Sequence, residues 1–405
     1  MNSPSSDHST AASKPPVSPI ITALWLALAP AIAIGFGRFG YSLVLPAMRS
    51  DLGWTYAQAG ALNTSNAVGY LLGALLTAPL SKRASSHSIM ILGFAVSVAA
   101  LLATGLAHSF LALLVCRALI GSSAAFTFIS ASSLAARLGR TPAENALAMG
   151  LSMSGPGLGV ILTGLIVPFV VAGDNSHWPG AWLAMATLGV LALLGVWFNT
   201  RQLGIEEPVG QVAGIQERAN YKALRIVLVS YFLYGLGYIA YMTFLVAYVR
   251  SLGASPIAVA LAWTVLGGSM IGSTFVWRRS FELERGGRTL ALMGVFGALS
   301  SVLPLLSNSI PVLLLSACVF GLAAMPIFTA VTMLIRLNLP PSAWTSGIAM
   351  ATVIFATGQS LGPIGSGWFA DRFGPSASLW WTFSIMLLSA VIASFQKPAP
   401  VESTR

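Results

Sequence analysis

Long apolar stretches, separated by short polar clusters, dominate the hydropathy pattern of this chain. A helix needs roughly 20 apolar residues to cross the hydrocarbon layer of a membrane. No stretch alternates with a period of two residues, as the strands of a transmembrane barrel would. The pattern therefore predicts an all-α polytopic membrane protein with twelve transmembrane helices, near residues 21–46, 56–80, 89–107, 109–137, 143–172, 180–199, 222–250, 256–277, 289–307, 311–337, 343–369 and 377–396.

The chain repeats itself at an interval of 200 residues. Seven positions recur without a gap, with Gly35, Gly37, Tyr41, Leu45, Ala47, Leu52 and Gly53 aligned on Gly235, Gly237, Tyr241, Leu245, Ala247, Leu252 and Gly253. We therefore expect two equivalent halves. The predicted organisation is a disordered cytoplasmic tail (1–19), a six-helix bundle (20–199), a cytoplasmic linker (200–221), a second six-helix bundle (222–396) and a short cytoplasmic tail (397–405).

Composition and charge support a membrane protein. The chain is 56% hydrophobic and 8% charged, whereas soluble domains are about 25% charged. Its net charge of +10 would suit nucleic-acid binding, but 16 of the 21 lysines and arginines lie in alternate loops and tails, and three lie in the other loops. This asymmetry follows the positive-inside rule and places both termini in the cytoplasm. We expect a multi-pass protein of the bacterial inner membrane that binds no nucleic acid.

Two arginines, Arg38 and Arg117, lie inside predicted helices, where a charged side chain is costly. All 11 carboxylates lie in tails, loops or helix ends. The charge of each arginine must therefore be met by backbone carbonyls, by water or by an anionic solute. We favour backbone carbonyls for Arg117. For Arg38 we favour a solute, because it aligns in the repeat with Tyr238.

Other polar residues share helical faces. Asn63 and Asn66 lie on one face of the second predicted helix, and either interhelical hydrogen bonds or contact with a solute would account for them. The seventh predicted helix carries a tyrosine stripe, which fits packing or a polar cavity, and the eleventh carries a deep Gln359. Glycine and proline residues in the fifth and eleventh helices serve packing or act as hinges: Gly155, Pro156, Gly159, Gly362 and Pro363.

Catalytic and cofactor motifs are missing from the sequence. The four histidines lie in the tail or in predicted loops and do not combine with other residues at metal-ligand spacing. Gly35, Gly37 and Gly40 match the dinucleotide fingerprint by letter, but no strand precedes them. There is no phosphate-binding loop for ATP, and both cysteines lie within helices. We therefore expect neither an enzyme nor a bound cofactor or metal.

Several motifs resemble those of the major facilitator superfamily, over about residues 20 to 396. Leu113, Arg117, Gly121, Ala124 and Ala125 are similar to its fourth-helix motif, and Gly150, Gly155, Pro156 and Gly159 to the fifth-helix motif often linked with antiporters. The first-half loop motif is degraded, with Thr77, Ser81 and Ala84 in place of its Gly, Asp and second Gly. The run Gly35 to Tyr41 resembles the uncharacterised YbfB-like branch. The resemblance implies two six-helix bundles related by pseudo-twofold symmetry, a cavity lined by helices 1, 4, 7 and 10, and alternating access.

These observations lead to a functional hypothesis. The chain is expected to be a monomeric secondary transporter in the lipid bilayer for a small organic solute, with an anion favoured by the uncompensated arginine. Proton coupling is a further expectation from the fifth-helix motif, although the helices lack a carboxylate to carry the proton. The alternatives are a multidrug-type exporter of hydrophobic compounds and a membrane solute sensor without net transport. The candidate solute-binding residues are Arg38, Tyr41, Asn63, Asn66, Arg117, Tyr234, Tyr238, Tyr241 and Gln359.

Overall fold

The structure, a computed structural model, describes residues 18–139, 141–205, 221–284 and 286–397. This part of the chain contains no strand and is built from helices. Their bounds are α1 (Pro19–Asp51), α2 (Tyr56–Leu80), α3 (Ser86–Leu106), α4 (Phe110–Ala135), α5 (Pro142–Met153 continued by Gly155–Val170), α6 (Trp178–Thr200), α7 (Arg225–Ser251), α8 (Pro256–Glu282), α9 (Arg288–Leu306), α10 (Ile310–Ala324 continued by Ile327–Asn338), α11 (Trp344–Phe373) and α12 (Ala377–Ser394).

All twelve predicted helices are present. Eleven are long and apolar enough to cross a membrane. The remaining helix, α2, has 25 residues and is less apolar because the polar run from Asn63 to Asn66 interrupts it. The prediction that the first helix ends at Pro46 was wrong. The helix continues to Asp51 with Pro46 inside it, which membrane helices tolerate when neighbouring groups satisfy the freed backbone.

The expectation that all four histidines lie in the tail or in loops was wrong for His87. His87, expected in a loop, lies in the first turn of α3, where its Nε2 is 3.0 Å from the hydroxyl of Thr200. The predicted tails and linker fall largely outside the described residues, which leave out 1–17, 206–220 and 398–405.

The 200-residue repeat is visible in the turns that end α1 and α7. Gly53 and Gly253 both adopt a positive φ, of 65° and 83°, a conformation that only glycine adopts without strain. In the first turn Arg49 donates to the carbonyl of Trp54, and in the second Arg250 donates to the carbonyl of Ala254. The two halves therefore end their first helices in the same way.

The two halves meet through three pairs of helices. These pairs are α2 with α11, α5 with α8, and the last part of α1 with α7. Glycines permit the close approach: a Cβ at Gly60 of α2 would lie 2.2 Å from the carbonyl oxygen of Pro363, and one at Gly267 of α8 would lie 2.5 Å from that of Gly157. Small residues are typical of membrane interfaces, because tight van der Waals packing replaces the hydrophobic effect there.

Several of these contacts lie toward one face of the molecule. We call it the closed face; it carries the turns at 52–55, 171–177, 252–255 and 374–376. Here the Asp371 carboxylate at the end of α11 accepts hydrogen bonds from the backbone amides of Tyr56 and Ala57, at 2.6 and 2.9 Å. Two turns further along α2, Thr64 donates to the carbonyl of Ser360 in α11. The carboxylate of one half thus caps the N-terminus of a helix in the other, a favourable pairing with the helix dipole.

Removing the charge of Asp371 should loosen the closed face. Asn can accept only one of the two amide bonds, and loss of a cap costs about 1 kcal/mol, which is roughly a fivefold change in an opening equilibrium. We expect Asp371→Asn to raise the maleimide-labelling rate of a cysteine placed at Thr64, in protein whose native Cys116 and Cys318 are replaced by Ala.

Asp174→Asn is the matched control. Asp174 lies on the same face, but its carboxylate accepts a hydrogen bond from Ser176 of its own loop. Equal labelling rates in the two variants would show that the Asp371 cap does not hold the halves together.

Candidate functional site

The middle of α1 is a π-helix, Ala31–Phe39, which ends where the Gly40 amide donates to the carbonyl of Gly35. π-Helical turns are rare and occur frequently at functional sites. This one packs closely against a neighbour, since a Cβ at Gly35 would lie 2.4 Å from the Cα of Gly159 in α5. It holds Arg38 in its last turn, and its Gly37 carbonyl accepts a hydrogen bond from a donor on another helix.

That donor is Arg117 of α4. Its guanidinium, which is fully buried, donates to the carbonyls of Gly37 and Leu62 and, at 3.1 Å, to the side-chain oxygen of Asn63. It also lies over the ring of Tyr41, 4.5 Å from the centroid. Three acceptors and a ring face satisfy this charge, so the geometry gives Arg117 the role of joining α1, α2 and α4.

The hydrogen bonds of Arg117 continue across the interface between the halves. The amide nitrogen of Asn63 donates to the hydroxyl of Thr243 in α7 at 2.6 Å, and that hydroxyl donates to the carbonyl of Ile239. Asn66 donates to the backbone carbonyl of Arg117, while its own side-chain oxygen is buried and has no partner in the part of the chain that the structure describes.

Arg38 has a different environment. It is 6% exposed, and one terminal nitrogen donates to the side-chain oxygen of Gln359 in α11 at 2.8 Å. Its Nε is buried and has no hydrogen-bond partner among the described residues. Its guanidinium carbon lies 5.4 Å from the ring centroid of Tyr70. In the described chain no carboxylate pairs with it, so this charge keeps unused hydrogen-bonding capacity.

The tyrosines divide into two groups by their hydroxyls. Tyr41 donates to the carbonyl of Ala59 at 2.7 Å, Tyr234 donates to that of Ala323 at 3.0 Å, and the Tyr241 hydroxyl pairs with that of Ser316. These three hydroxyls hold helices together.

The hydroxyls of Tyr70, Tyr231 and Tyr238 make no hydrogen bond within the described chain. They are also not among its fully buried polar atoms that lack a hydrogen-bond partner. Arg38 lies within electrostatic reach of Tyr238 and Tyr70, and Tyr231 within reach of Tyr70 and Tyr238. We call these four residues together with Gln359 the polar cluster. It joins α1 and α2 of one half to α7 and α11 of the other.

The proposed hinge residues lie at close helix contacts. A Cβ at Gly155 would lie 2.3 Å from the carbonyl oxygen of Ala27, and one at Gly159 would lie 2.1 Å from that of Ala31, so this face of α5 packs on α1. Gly362 approaches the carbonyl of Leu236 in α7 in the same way. Pro156 and Pro363 lie beside them, with the carbonyl of Pro363 against Gly60.

Two members of the polar cluster, Tyr70 and Tyr231, are not among the solute-binding residues predicted from the sequence. Both carried a signal: Tyr70 follows Asn66 by four residues on the polar face of α2, and Tyr231 precedes Tyr238 by seven residues in the tyrosine stripe. Phe355 of α11, whose ring stacks on Tyr231 with 4.4 Å between centroids, was not predicted either. No sequence signal identified Phe355.

The polar cluster can recognise an anion. It offers one guanidinium with unused donors, three free hydroxyls and an amide, all inside a membrane-spanning fold, where charge interactions are strong. The described chain contains no group of His, Cys, Asp and Glu that could hold a metal ion.

Comparison with known proteins identifies relatives described as MFS-type transporters. A family model described as "Uncharacterised MFS-type transporter YbfB" matches residues 30–394. The uncharacterised MFS-type transporter YceJ of Bacillus subtilis is 27% identical over 294 residues, which are 70% of this chain and 73% of YceJ. Partial matches are a chloramphenicol resistance protein of Streptomyces lividans, 31% identical over 40% of this chain and 38% of that protein, and the probable anion transporter 3 of Arabidopsis thaliana, 28% identical over 42% and 32%.

Solved structures share the fold. The inward-facing, unoccupied structure of a bacterial homologue of the human lysosomal transporter Spinster has a TM-score of 0.68, at 16% identity over 94% of this chain and 95% of that one. The nucleoside transporter NupG, as a D323A mutant, has a TM-score of 0.72, at 13% identity over 91% of this chain and 98% of that one.

The contrast between the two arginines predicts a difference in stability. Arg117→Gln would leave the carbonyls of Gly37 and Leu62 and the oxygen of Asn63 without their donor, and breaking such a buried set costs about 3 kcal/mol. We expect a markedly lower thermal unfolding temperature for Arg117→Gln in detergent. The same substitution at Arg38 disturbs one bond to a neutral amide and should change stability far less. Equal losses in the two variants would contradict this division of roles.

Proposed function

This chain belongs to the YbfB-type family of major facilitator superfamily transporters, and we propose that it is a secondary transporter of a small organic anion. The proposal rests on one observation: Arg38 is a buried cation at the interface of the two halves, and within the described chain it has no carboxylate beside it and its Nε has no hydrogen-bond partner. Charged residues inside membrane proteins mark substrate pathways when no other charge compensates them.

The Arg38–Gln359 bond supports a way to couple binding to movement. It joins α1 to α11 and therefore links the two halves. A carboxylate forms a stronger, charge-assisted hydrogen bond with a guanidinium than a neutral amide does. A bound anion would thus replace Gln359 on Arg38, so that occupancy of the site changes a contact between the halves, as alternating access requires.

The side of the membrane follows from charge. The face opposite the closed face carries a large share of the cations, among them Lys82, Arg83, Arg201 and Arg288. By the positive-inside rule this face lies in the cytoplasm of a bacterial cell. The closed face is then external, the conformation is inward-facing and both termini are cytoplasmic. We propose a monomer in the inner membrane without a nucleic-acid partner or enzymatic activity.

Other transport substrates and a sensor role are the competing proposals. The match to a chloramphenicol resistance protein supports export of a hydrophobic compound, and the match to a probable anion transporter supports an anion. Arg38 favours the anion, because an uncompensated cation repels cationic drugs and gains no charge–charge attraction from neutral ones. A sensor would bind the solute without net flux across proteoliposomes.

Replacing Arg38 should abolish anion transport in a folded protein. We expect Arg38→Gln in proteoliposomes to reduce flux of the transported anion by tenfold or more, since about 1.4 kcal/mol of lost binding is already tenfold. Arg38→Lys should recover only part of the flux, because an ammonium cannot form the planar two-point contact of a guanidinium.

The matched control is Arg336→Gln. Its guanidinium lies over the ring of Trp344, 5.1 Å from the centroid, near the end of α10 and outside the polar cluster. Unchanged flux in a well-folded Arg38→Gln variant would remove Arg38 from the site.

Proton coupling is a separate proposal with its own measurement. The fifth-helix motif supports it, and in the described helices no membrane-embedded carboxylate is present to carry the proton. If protons are coupled, an imposed pH gradient alone should drive uphill accumulation of the anion. Flux that depends only on the gradient of the anion would exclude coupling.

A further inference from the structure

The polar cluster faces aromatic rings. Tyr238 of α7 stacks on Phe320 of α10, with 5.7 Å between centroids and planes 12° apart, and lies 6.2 Å from Phe355 of α11. Phe355 in turn stacks on Tyr231. We call Tyr231, Tyr238, Phe320 and Phe355 the aromatic wall. Two of its members, Tyr231 and Tyr238, also belong to the polar cluster.

Packing alone does not explain this wall. A tyrosine that serves only packing in a membrane interior hydrogen-bonds its hydroxyl, as Tyr234 and Tyr241 do a turn or less away on the same helix. The hydroxyls of Tyr231 and Tyr238 make no such bond in the described chain. Tyr238 lies within electrostatic reach of the Arg38 guanidinium, and Tyr231 lies within reach of Tyr238. Rings whose polar tips are left free beside an unsatisfied cation form a surface for a ligand.

The charge at the site is that of one guanidinium. Arg117, the nearest other cation, is saturated by Gly37, Leu62 and Asn63 and lies against the ring of Tyr41. A ligand with one negative charge is fully compensated by Arg38. A dianion would bring a second charge into a low-dielectric site that offers it no cation, and burial of an unpaired charge is costly.

We infer that the site takes a planar aromatic monocarboxylate, whose carboxylate binds Arg38 in place of Gln359 and whose ring lies against the aromatic wall. This inference rests on the proposed function and names the substrate class. A flat ring suits the aromatic wall, because the rings of the wall already contact one another in stacked and tilted pairs with 4.4 to 6.2 Å between centroids. Offset ring contacts form at such spacings.

Four probes separate the elements of this inference. Benzoate is the reference ligand. Cyclohexanecarboxylate keeps the charge and removes the flat ring, phthalate adds a second carboxylate, and benzamide removes the charge. Binding to the purified full-length protein is measured by isothermal titration calorimetry at neutral pH.

We expect benzoate to bind about tenfold more tightly than cyclohexanecarboxylate, as ring contacts of this kind provide, and also more tightly than phthalate and benzamide. Tyr238→Leu should abolish the preference for benzoate over cyclohexanecarboxylate, and Tyr238→Phe should keep it. The matched control is Tyr248→Leu, since Tyr248 lies near the closed-face end of α7 with its hydroxyl 3.4 Å from the carbonyl of Pro304.

The outcomes distinguish this inference from the proposed function. Equal binding of benzoate and cyclohexanecarboxylate, or tighter binding of phthalate, overturns the aromatic monocarboxylate and leaves an anion transporter in place. Because this comparison uses the wild-type protein, it does not depend on whether a variant folds. Absence of binding by every anion, together with unchanged flux in Arg38→Gln, would overturn both proposals.

Discussion

Uncompensated positive charge inside the membrane is the constraint on which the rest of this structure depends. Two guanidiniums, those of Arg38 and Arg117, are buried in the described helices, and no carboxylate of the described chain pairs with either of them. Transfer of a charge into an apolar medium is among the largest penalties a fold can meet, so the surroundings of each arginine are not free to vary. Arg117 meets its penalty with backbone carbonyls and the Asn63 amide. Arg38 meets its own only in part, with one neutral amide from the other half.

Both arginines depend on the π-helical stretch of α1. The Gly37 carbonyl that accepts a hydrogen bond from Arg117 lies in this stretch, and so does Arg38. The same stretch packs closely on α5, where Gly35 meets Gly159. A single stretch of α1 therefore supplies an acceptor for one arginine and carries the other.

Features that depend on residues close together in the sequence could be predicted, whereas contacts between residues far apart in the sequence could not. The helices and the repeat follow from local hydropathy and from spacing, so all twelve helices were predicted, whereas the end of α1 was misplaced because Pro46 is tolerated inside it. The lack of carboxylates near Arg38 was likewise readable from sequence. Its partner was not, because Arg38 and Gln359 are 321 residues apart and no local pattern joins them. The free hydroxyls of Tyr70 and Tyr231 depend on which neighbours fail to reach them, which only the packed structure shows.

The chain of hydrogen bonds from Arg117 through Asn63 and Thr243 to the carbonyl of Ile239 has a direction. Each member donates to the next, and the last acceptor is a backbone carbonyl that has no proton to pass on. Such a chain cannot reverse its polarity, so it cannot relay a proton between the two halves. It instead holds the two halves together through one hydrogen bond, that between Asn63 and Thr243. When the halves separate there, Arg117 keeps its own acceptors. The exposed Asn63 amide and Thr243 hydroxyl can then both form hydrogen bonds with water.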